Sequence, residues 1–370
     1  MKLFKSLLIA PATLGLLSPM SAISNEVDFQ AISKYSNAEY ELDSNSFNFL
    51  PTTNTLLSGG EGLVDSYSSD SFSSTTSASF SAEAILGGIS TDLAASEAVS
   101  FDYQYQIGLT SSFTGEDSLD VTIDAGSTTG TSTEALFGMD ATAGFLQVDG
   151  ITYTFPVGSA TMLVGDSTDI SALYTGACAY GGFIDYITDC GTGNSVGVGG
   201  QGATVTASYA FDGGFSLAGG VSSPQDEILG EQADIFGMEA AYTGDDYGVA
   251  LAFSDAETAT FIGFNGYYTF DFATLSGGYE TSDIDDVDDD TSSFFVGLTK
   301  EVGPGTFELG YTSTDMDPFL AQGVDDTTYL YEASYAYPVN DALTITPGLA
   351  IIDVDAGETT VAAVKASFAF

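Results

Sequence analysis

The residues that carry chemistry in this 370-residue chain are carboxylates: 52 Asp and Glu stand against five basic residues, and the formal net charge is −47. The five bases are all lysines, and the chain holds neither His nor Arg. Hydrolytic chemistry that depends on a His general base is therefore not available. No Gly-rich phosphate loop of the Walker type occurs, and the abundant Ser and Asp have no catalytic spacing. Cys178 and Cys190, the only cysteines, lie in a Gly-rich stretch. Two thiols without a His make a poor zinc site, whereas an exported chain meets an oxidising compartment, so a disulfide is expected. The run Asp283, Asp285, Asp286, Asp288, Asp289 and Asp290 is rich in oxygen ligands but fails the EF-hand template, because Val287 holds the fifth position and the Gly and Glu of that loop are missing. Loose divalent binding that bridges lipopolysaccharide phosphates, or a merely solvated loop, are the two readings of that run. No cofactor is expected.

Such a charge balance repels nucleic acid and anions and concentrates cations. It also suits salty water, where screening over about 8 Å or less makes surplus carboxylates tolerable. The two readings are compatible.

The start of the chain sets the compartment. A basic opening, Met1 to Lys5, precedes a short apolar stretch from Leu7 to Leu17. That is the pattern of a secretory signal peptide, assigned to residues 1–24, and the stretch falls short of the roughly 20 residues a spanning helix needs. Cleavage after Ser24 or after Ala22 both fit. Residues 25–74 are Ser-rich and polar and form a leader or linker. Beyond the signal no apolar run reaches helical-span length, although mean hydropathy is positive at +0.16. Strands whose alternate side chains are apolar hide apolar surface in this way.

From residue 75 to 370 the sequence alternates with period two between turn-forming residues. Phe101, Tyr103, Tyr105, Ile107 and Leu109 interleave with Asp102, Gln104, Gln106 and Gly108. Tyr329, Tyr331, Ala333, Tyr335 and Tyr337 alternate likewise, with Leu330 as the one misfit on the polar side. The fold class this implies is all-β: a transmembrane antiparallel β-barrel of about sixteen strands. The 20 Tyr and 26 Phe suit its interfacial aromatic girdles. Even-numbered links are short, such as Asp212-Gly213-Gly214 and Val302-Gly303-Pro304, whereas odd-numbered ones are mostly long: 88–97, 128–144, 166–201, 223–234, 282–290 and 314–326. A soluble sandwich has no reason to keep that phase, but an outer-membrane barrel does, with periplasmic turns and extracellular loops. An even strand count leaves both ends of the barrel in the periplasm. The closing alternation through Phe368 to Phe370 is similar to the sorting signal that barrel-assembly machinery reads.

A barrel of this size encloses water, so function reduces to what narrows and charges the lumen. The inward phase selects Glu83, Asp102, Asp120, Asp124, Glu239, Glu308 and Glu332, and Lys365 shares it. The longest loop, 166–201, carries Asp166, Asp169, Asp185 and Asp189 and is expected to fold inward as a constriction; capping the outer surface is the alternative. Passive, cation-preferring diffusion of small hydrophilic solutes follows. A non-conducting structural or adhesive barrel is the rival from another class.

The opening MKLFKSLLIAPATLGLLSP with VDFQAISKYS, then FDYQYQIGLTSSFTGEDSLDVTIDAG, ITYTFPVG and GQGATVTASYAF, resembles cyanobacterial outer-membrane porins related to the carbohydrate-selective (OprB-like) porins. The resemblance covers the signal region and the first half of the barrel. It implies a sixteen-stranded trimeric pore in the outer membrane, with sugar or iron uptake as the activity under which such relatives are often labelled. These relatives usually carry an S-layer-homology domain before the barrel, for which residues 25–74 leave no room. Where they have basic residues after the FTG turn, this chain has Glu116, Asp117, Asp120 and Asp124.

Overall fold

The computed structural model describes residues 76–92, 98–127, 136–185, 189–197, 202–223, 234–256, 258–285, 290–317 and 322–369. The signal and leader segments, 1–24 and 25–74, lie outside them, as does Phe370.

Sixteen strands follow in order. The first eight are β1 (Thr76–Thr91), β2 (Ala98–Ser111), β3 (Ser118–Gly126), β4 (Gln147–Val157), β5 (Ala160–Thr168), β6 (Gly202–Ala210), β7 (Phe215–Ser223) and β8 (Ile235–Thr243). The second eight are β9 (Tyr247–Asp255), β10 (Ala259–Phe270), β11 (Ala273–Ile284), β12 (Thr291–Val302), β13 (Gly305–Asp317), β14 (Gln322–Asn340), β15 (Leu343–Val354) and β16 (Gly357–Ala369). Each pairs with its sequence neighbours and β16 pairs antiparallel with β1, so the sheet is a closed barrel. Closure satisfies every strand's backbone without an open edge, which hydrocarbon would not tolerate. Among the described residues no helix is long and apolar enough to cross a membrane.

The register translates the sequence alternation into two surfaces. Phe80, Ile107 and Ile123 stand opposite one another across β1, β2 and β3, while Ser81, Gln106 and Asp124 occupy the other phase. The apolar phase points outward: Phe101, Leu251, Phe264, Tyr279 and Phe294 are all exposed. At the short-turn rim the aromatics gather into ring contacts, Tyr209 with Phe211, Phe215 with Tyr242, Tyr242 with Tyr247, and Tyr268 with Phe270. That is the placement of an interfacial girdle.

Links on this rim are as short as 158–159, 271–272, 303–304 and 341–342, whereas the opposite rim carries 127–146 and 169–201. At the turn between β6 and β7, Gly213 and Gly214 both take positive φ, 93° and 90°, which a side chain would oppose. The turn between β2 and β3 is closed by Asp117, whose Oδ1 accepts from Ser112 Oγ and from the backbone N–H groups of Phe113 and Thr114. Tyr153 donates its hydroxyl to Oδ2 at 2.6 Å. Those donors, the Tyr153 hydroxyl foremost, hold the Asp117 carboxyl well below the ordinary carboxylate range.

Several strands run further into the long-loop rim than the sequence expectation. Strands β13 and β14 run on to Asp317 and back to Gln322, so the loop expected over 314–326 shrinks to 318–321. Strand β5 continues to Thr168, β1 to Thr91 and β11 to Ile284, so the loops expected from 166, 88 and 282 begin later. Ladder pairing needs only backbone groups, and above the lipid band polar side chains serve as well as apolar ones, so loss of hydrophobic alternation does not end a strand there.

Candidate functional site

The long loop between β5 and β6 lies on the inner wall. It starts with a 3₁₀ turn, Ile170–Leu173, whose N-cap Asp169 accepts from Ser171 N and Oγ. The outgoing arm then crosses the inward faces of β8 to β15, and the return arm comes back over β12, β11, β10 and β9. Inward-pointing side chains receive its backbone one after another. Glu239 on β8 accepts from Thr175 N at 2.7 Å and from Gly176 N. Asn265 on β10 accepts from Ala177 N, and Ser276 on β11 from Ala179 N. Glu308 on β13 accepts from Gly181 N at 3.0 Å. Glu332 on β14 accepts from Phe183 N, Ile184 N and the Tyr180 hydroxyl. On the return arm, Asn194 Nδ2 and Ser195 N donate to Glu280 on β11, and Asn265 Nδ2 reaches Thr192 Oγ1 at 2.8 Å. Asn265 thus grips both arms.

The Cys178–Cys190 disulfide joins the same two arms, with Cα atoms 5.6 Å apart. Cys190 packs so close to the wall that a Cβ on Gly278 would collide with its carbonyl oxygen, and one on Gly348 would collide with the Phe183 ring. The loop also has an apolar underside. Tyr180, Phe183 and Ile184 pack with Phe295, Leu330, Ile85 and Val361 of the wall. Leu330, the misfit in the sequence alternation, is fully buried beneath this loop, so an inward apolar residue is where the loop needs one. The link between β3 and β4 contributes Phe137, whose ring meets Phe183 edge-on at 5.4 Å, and Asp185 N donates to Leu136 O.

These contacts sort the acidic residues. Glu239 and Glu332 point inward as their phase requires, yet each is only 2% exposed: the loop covers them, and they hold it rather than face water. Asp102 and Asp124 are buried as well. Asp120 is tied to Thr110 and Ser118 hydroxyls. Glu280 and Asn265, absent from the sequence-based selection, do the same work as Glu239. Asp166 is a correction: it lies in β5, not in the loop, and pairs with outward-facing Ile151, because β5 runs three residues further than expected. Asp185 and Asp189 remain on the loop's open surface. Partial burial pushes both carboxyls upward; the Lys365 charge opposes this at Asp185, and the Asp169 charge adds to it at Asp189. On the wall near Asp185, Glu83 lies 4.0 Å from Lys365 Nζ and accepts from Gln104 Nε2 and Ser367 Oγ. Phe368 pairs with Leu343 and Ala82 on the outward face. Asp283, Asp285 and Asp290 are exposed, Asp286, Asp288 and Asp289 lie outside the described residues, and among the described residues no three acidic groups converge for metal ligation.

A hollow sixteen-stranded barrel with a long loop laid along its inner wall can be compared with known proteins. Residues 144–357, more than half of the chain, match the family described as Gram-negative porin. The chain belongs to the Gram-negative porin family. Among solved structures, this porin is similar to an anion-selective porin from Comamonas acidovorans, at TM-score 0.60 and 15% identity over 80% of this chain and 99% of that one. It is also similar to OprB from Pseudomonas putida, at TM-score 0.60 and 12% identity over 80% and 94% of the two chains. A loop-deleted OmpT of Vibrio cholerae gives TM-score 0.58 at 12% identity, over 80% and 99%. At such identities the likeness concerns the fold. A direct sequence comparison with curated proteins gives no match. The porin is thus an integral β-barrel of the outer membrane through which solutes diffuse, and porins are channels rather than enzymes.

Proposed function

We propose that this porin passes small hydrophilic solutes, chiefly inorganic ions, down their gradients, that the β5–β6 loop is its constriction, and that it prefers cations. The observation that carries the preference is the isolation of Lys365. Only Lys300 and Lys365 are basic among the described residues, and Lys300 shares the outward phase of Leu298 at the rim. Lys365 itself is matched by Glu83 and faces Asp185. An inner surface with one neutralised base and several carboxylates attracts cations and repels anions. Asp185 and Asp189 on the loop, with Glu83, Asp120 and Glu308 on the wall, are the charges assigned to the ion path.

Sugar passage, the activity the OprB-like resemblance would suggest, finds less support. Inward-facing Phe261 and Phe295 are wholly buried and offer no ring face for a sugar to stack on. Assembly as a homotrimer in lipopolysaccharide-bearing membrane, after insertion by the barrel-assembly machinery, follows from the cyanobacterial-porin resemblance. Small outward residues at the β16–β1 seam, Ala84, Gly88, Ala362 and Ala366, are suited to close approach of a second copy.

The test is a planar-bilayer recording of the purified protein across a KCl gradient. A reversal potential of the sign set by K⁺ permeability is expected. Anion selectivity would discard the reading, and absence of conductance would favour a structural barrel.

A further inference from the structure

We propose that the link between β3 and β4 is the second half of the constriction, and that its Gly138 and Phe137 fix where the Asp185 carboxylate stands in the ion path. This inference rests on the reading of the β5–β6 loop as the constriction of a cation-preferring pore, and names the residues that position the loop's charge.

Loop and link form one collar. The loop starts at β6, where Thr206 Oγ1 donates to Ile170 O at 3.0 Å, and runs on to β14, where Glu332 accepts from Phe183 N and Ile184 N. There the β3–β4 link takes over. Its Phe137 and Met139 are buried in one apolar cluster with Phe183 and Ile184 of the loop, Ile85 of β1 and Val361 of β16. Asp140 N donates to Gln104 Oε1 on β2 at 2.8 Å, and Gly126 N at the end of β3 donates to Thr142 Oγ1 at 2.8 Å. The two segments thus meet end to end and together follow the inner wall from β6 round to β3.

Asp185 stands at the join. Its backbone N–H donates to Leu136 O at 2.7 Å, and the neighbouring Phe183 ring meets Phe137 edge-on at 5.4 Å. Asp185 is exposed, and its carboxylate lies directly over Gly138, where a Cβ would collide with Oδ2 and Cγ. Gly138 has a φ of 60°, so the positive φ and the close approach both call for glycine. The link, not the wall, therefore decides where this charge sits. The charges that act on Asp185 are those of Lys365 on β16 and Asp189 on the loop. A carboxylate pushed off Gly138 is repelled by Asp189 and closes on Lys365, which neutralises it and withdraws a charge from the ion path.

Reversal potentials of the purified full chain at a mean KCl concentration of about 0.1 M, in the wild-type and the Asp185→Asn backgrounds, test the coupling. Gly138→Ala, which leaves the net charge unchanged, should lower the K⁺ to Cl⁻ permeability ratio about twofold, since a single charge acts there over a Debye length of about 10 Å. Phe137→Ala should lower it in the same sense and raise chymotrypsin cleavage near Phe183 in the folded, heat-modifiable protein. Neither substitution should move the ratio in the Asp185→Asn background, whereas a general widening of the pore would move it in both. An equal shift in that background would overturn the positioning role, as would a ratio and a cleavage rate that stay at wild-type values in both variants. A wild type without cation preference would instead discard the reading of the pore, while the cleavage and the background comparison still decide whether the link holds Asp185.

Discussion

Glu332 shows what a single residue does in this porin and how far a sequence can report it. Alternation says that position 332 faces inward, because Tyr331 and Ala333 face lipid. It does not say what lies over that face. The structure places two backbone N–H groups and the Tyr180 hydroxyl on the carboxylate, so a charge that reads as lumen lining is a clamp. Glu280 carried the same signal between Tyr279 and Thr281, and its partner Ser195 sits 85 residues away, a distance in sequence that no local pattern spans. The clamp makes a prediction. In Glu332→Gln an amide N–H group faces a backbone N–H, and at least one charge-assisted bond of about 1.5–3 kcal/mol is lost. The docked population of the loop tip should fall about tenfold or more relative to its undocked form. Single-channel current noise and chymotrypsin cleavage near Phe183 should both rise, with the barrel still heat-modifiable. Unchanged noise and unchanged cleavage would mean that the apolar underside alone holds the tip.

At the scale of elements, strands and loop obey different constraints. All sixteen strands are legible because lipid and water enforce a two-residue period, and the larger boundary errors fall where that enforcement stops, at Thr91, Thr168, Ile284, Asp317 and Gln322. The loop is not legible beyond its length and its cysteines, since its conformation is set by wall residues on β8, β10, β11, β13 and β14 and by the aromatic pair Phe137 and Phe183. The disulfide belongs wholly to this second system. None of the sixteen strand pairings involves Cys178 or Cys190, and the bridge closes a separation of 12 residues. A loop of that size gains roughly 3 kcal/mol from cross-linking. The double variant Cys178→Ser, Cys190→Ser should therefore keep the wild-type heat-modifiable transition while its loop becomes the first site of proteolysis and its conductance becomes less uniform. A lowered barrel transition would show instead that loop and wall melt together.

At the scale of the whole molecule, the fold turns a composition into a field. A net charge of −47 spread on an exterior would concern only solubility. Several of the carboxylates are instead held by donors under the loop, while Asp185 and Asp189 stay on its open surface, with the Glu83–Lys365 pair on the wall near Asp185; in the proposed ion path a low-dielectric wall would focus the field of the loop carboxylates. Selectivity that arises from such charges must weaken when salt screens them. The Debye length is about 10 Å at 0.1 M and about 3 Å at 1 M, so at the lower concentration charge on the loop reaches across much of a narrow lumen and at the higher it reaches only ions in contact. The K⁺ to Cl⁻ permeability ratio, taken from reversal potentials at a fixed tenfold gradient, should fall toward unity as the mean KCl concentration rises over that range. Asp185→Asn with Asp189→Asn should lower the ratio at 0.1 M and change it little at 1 M. A ratio that does not move with salt would place selectivity in a tight contact site instead of the field, and would separate the loop carboxylates from the ion path.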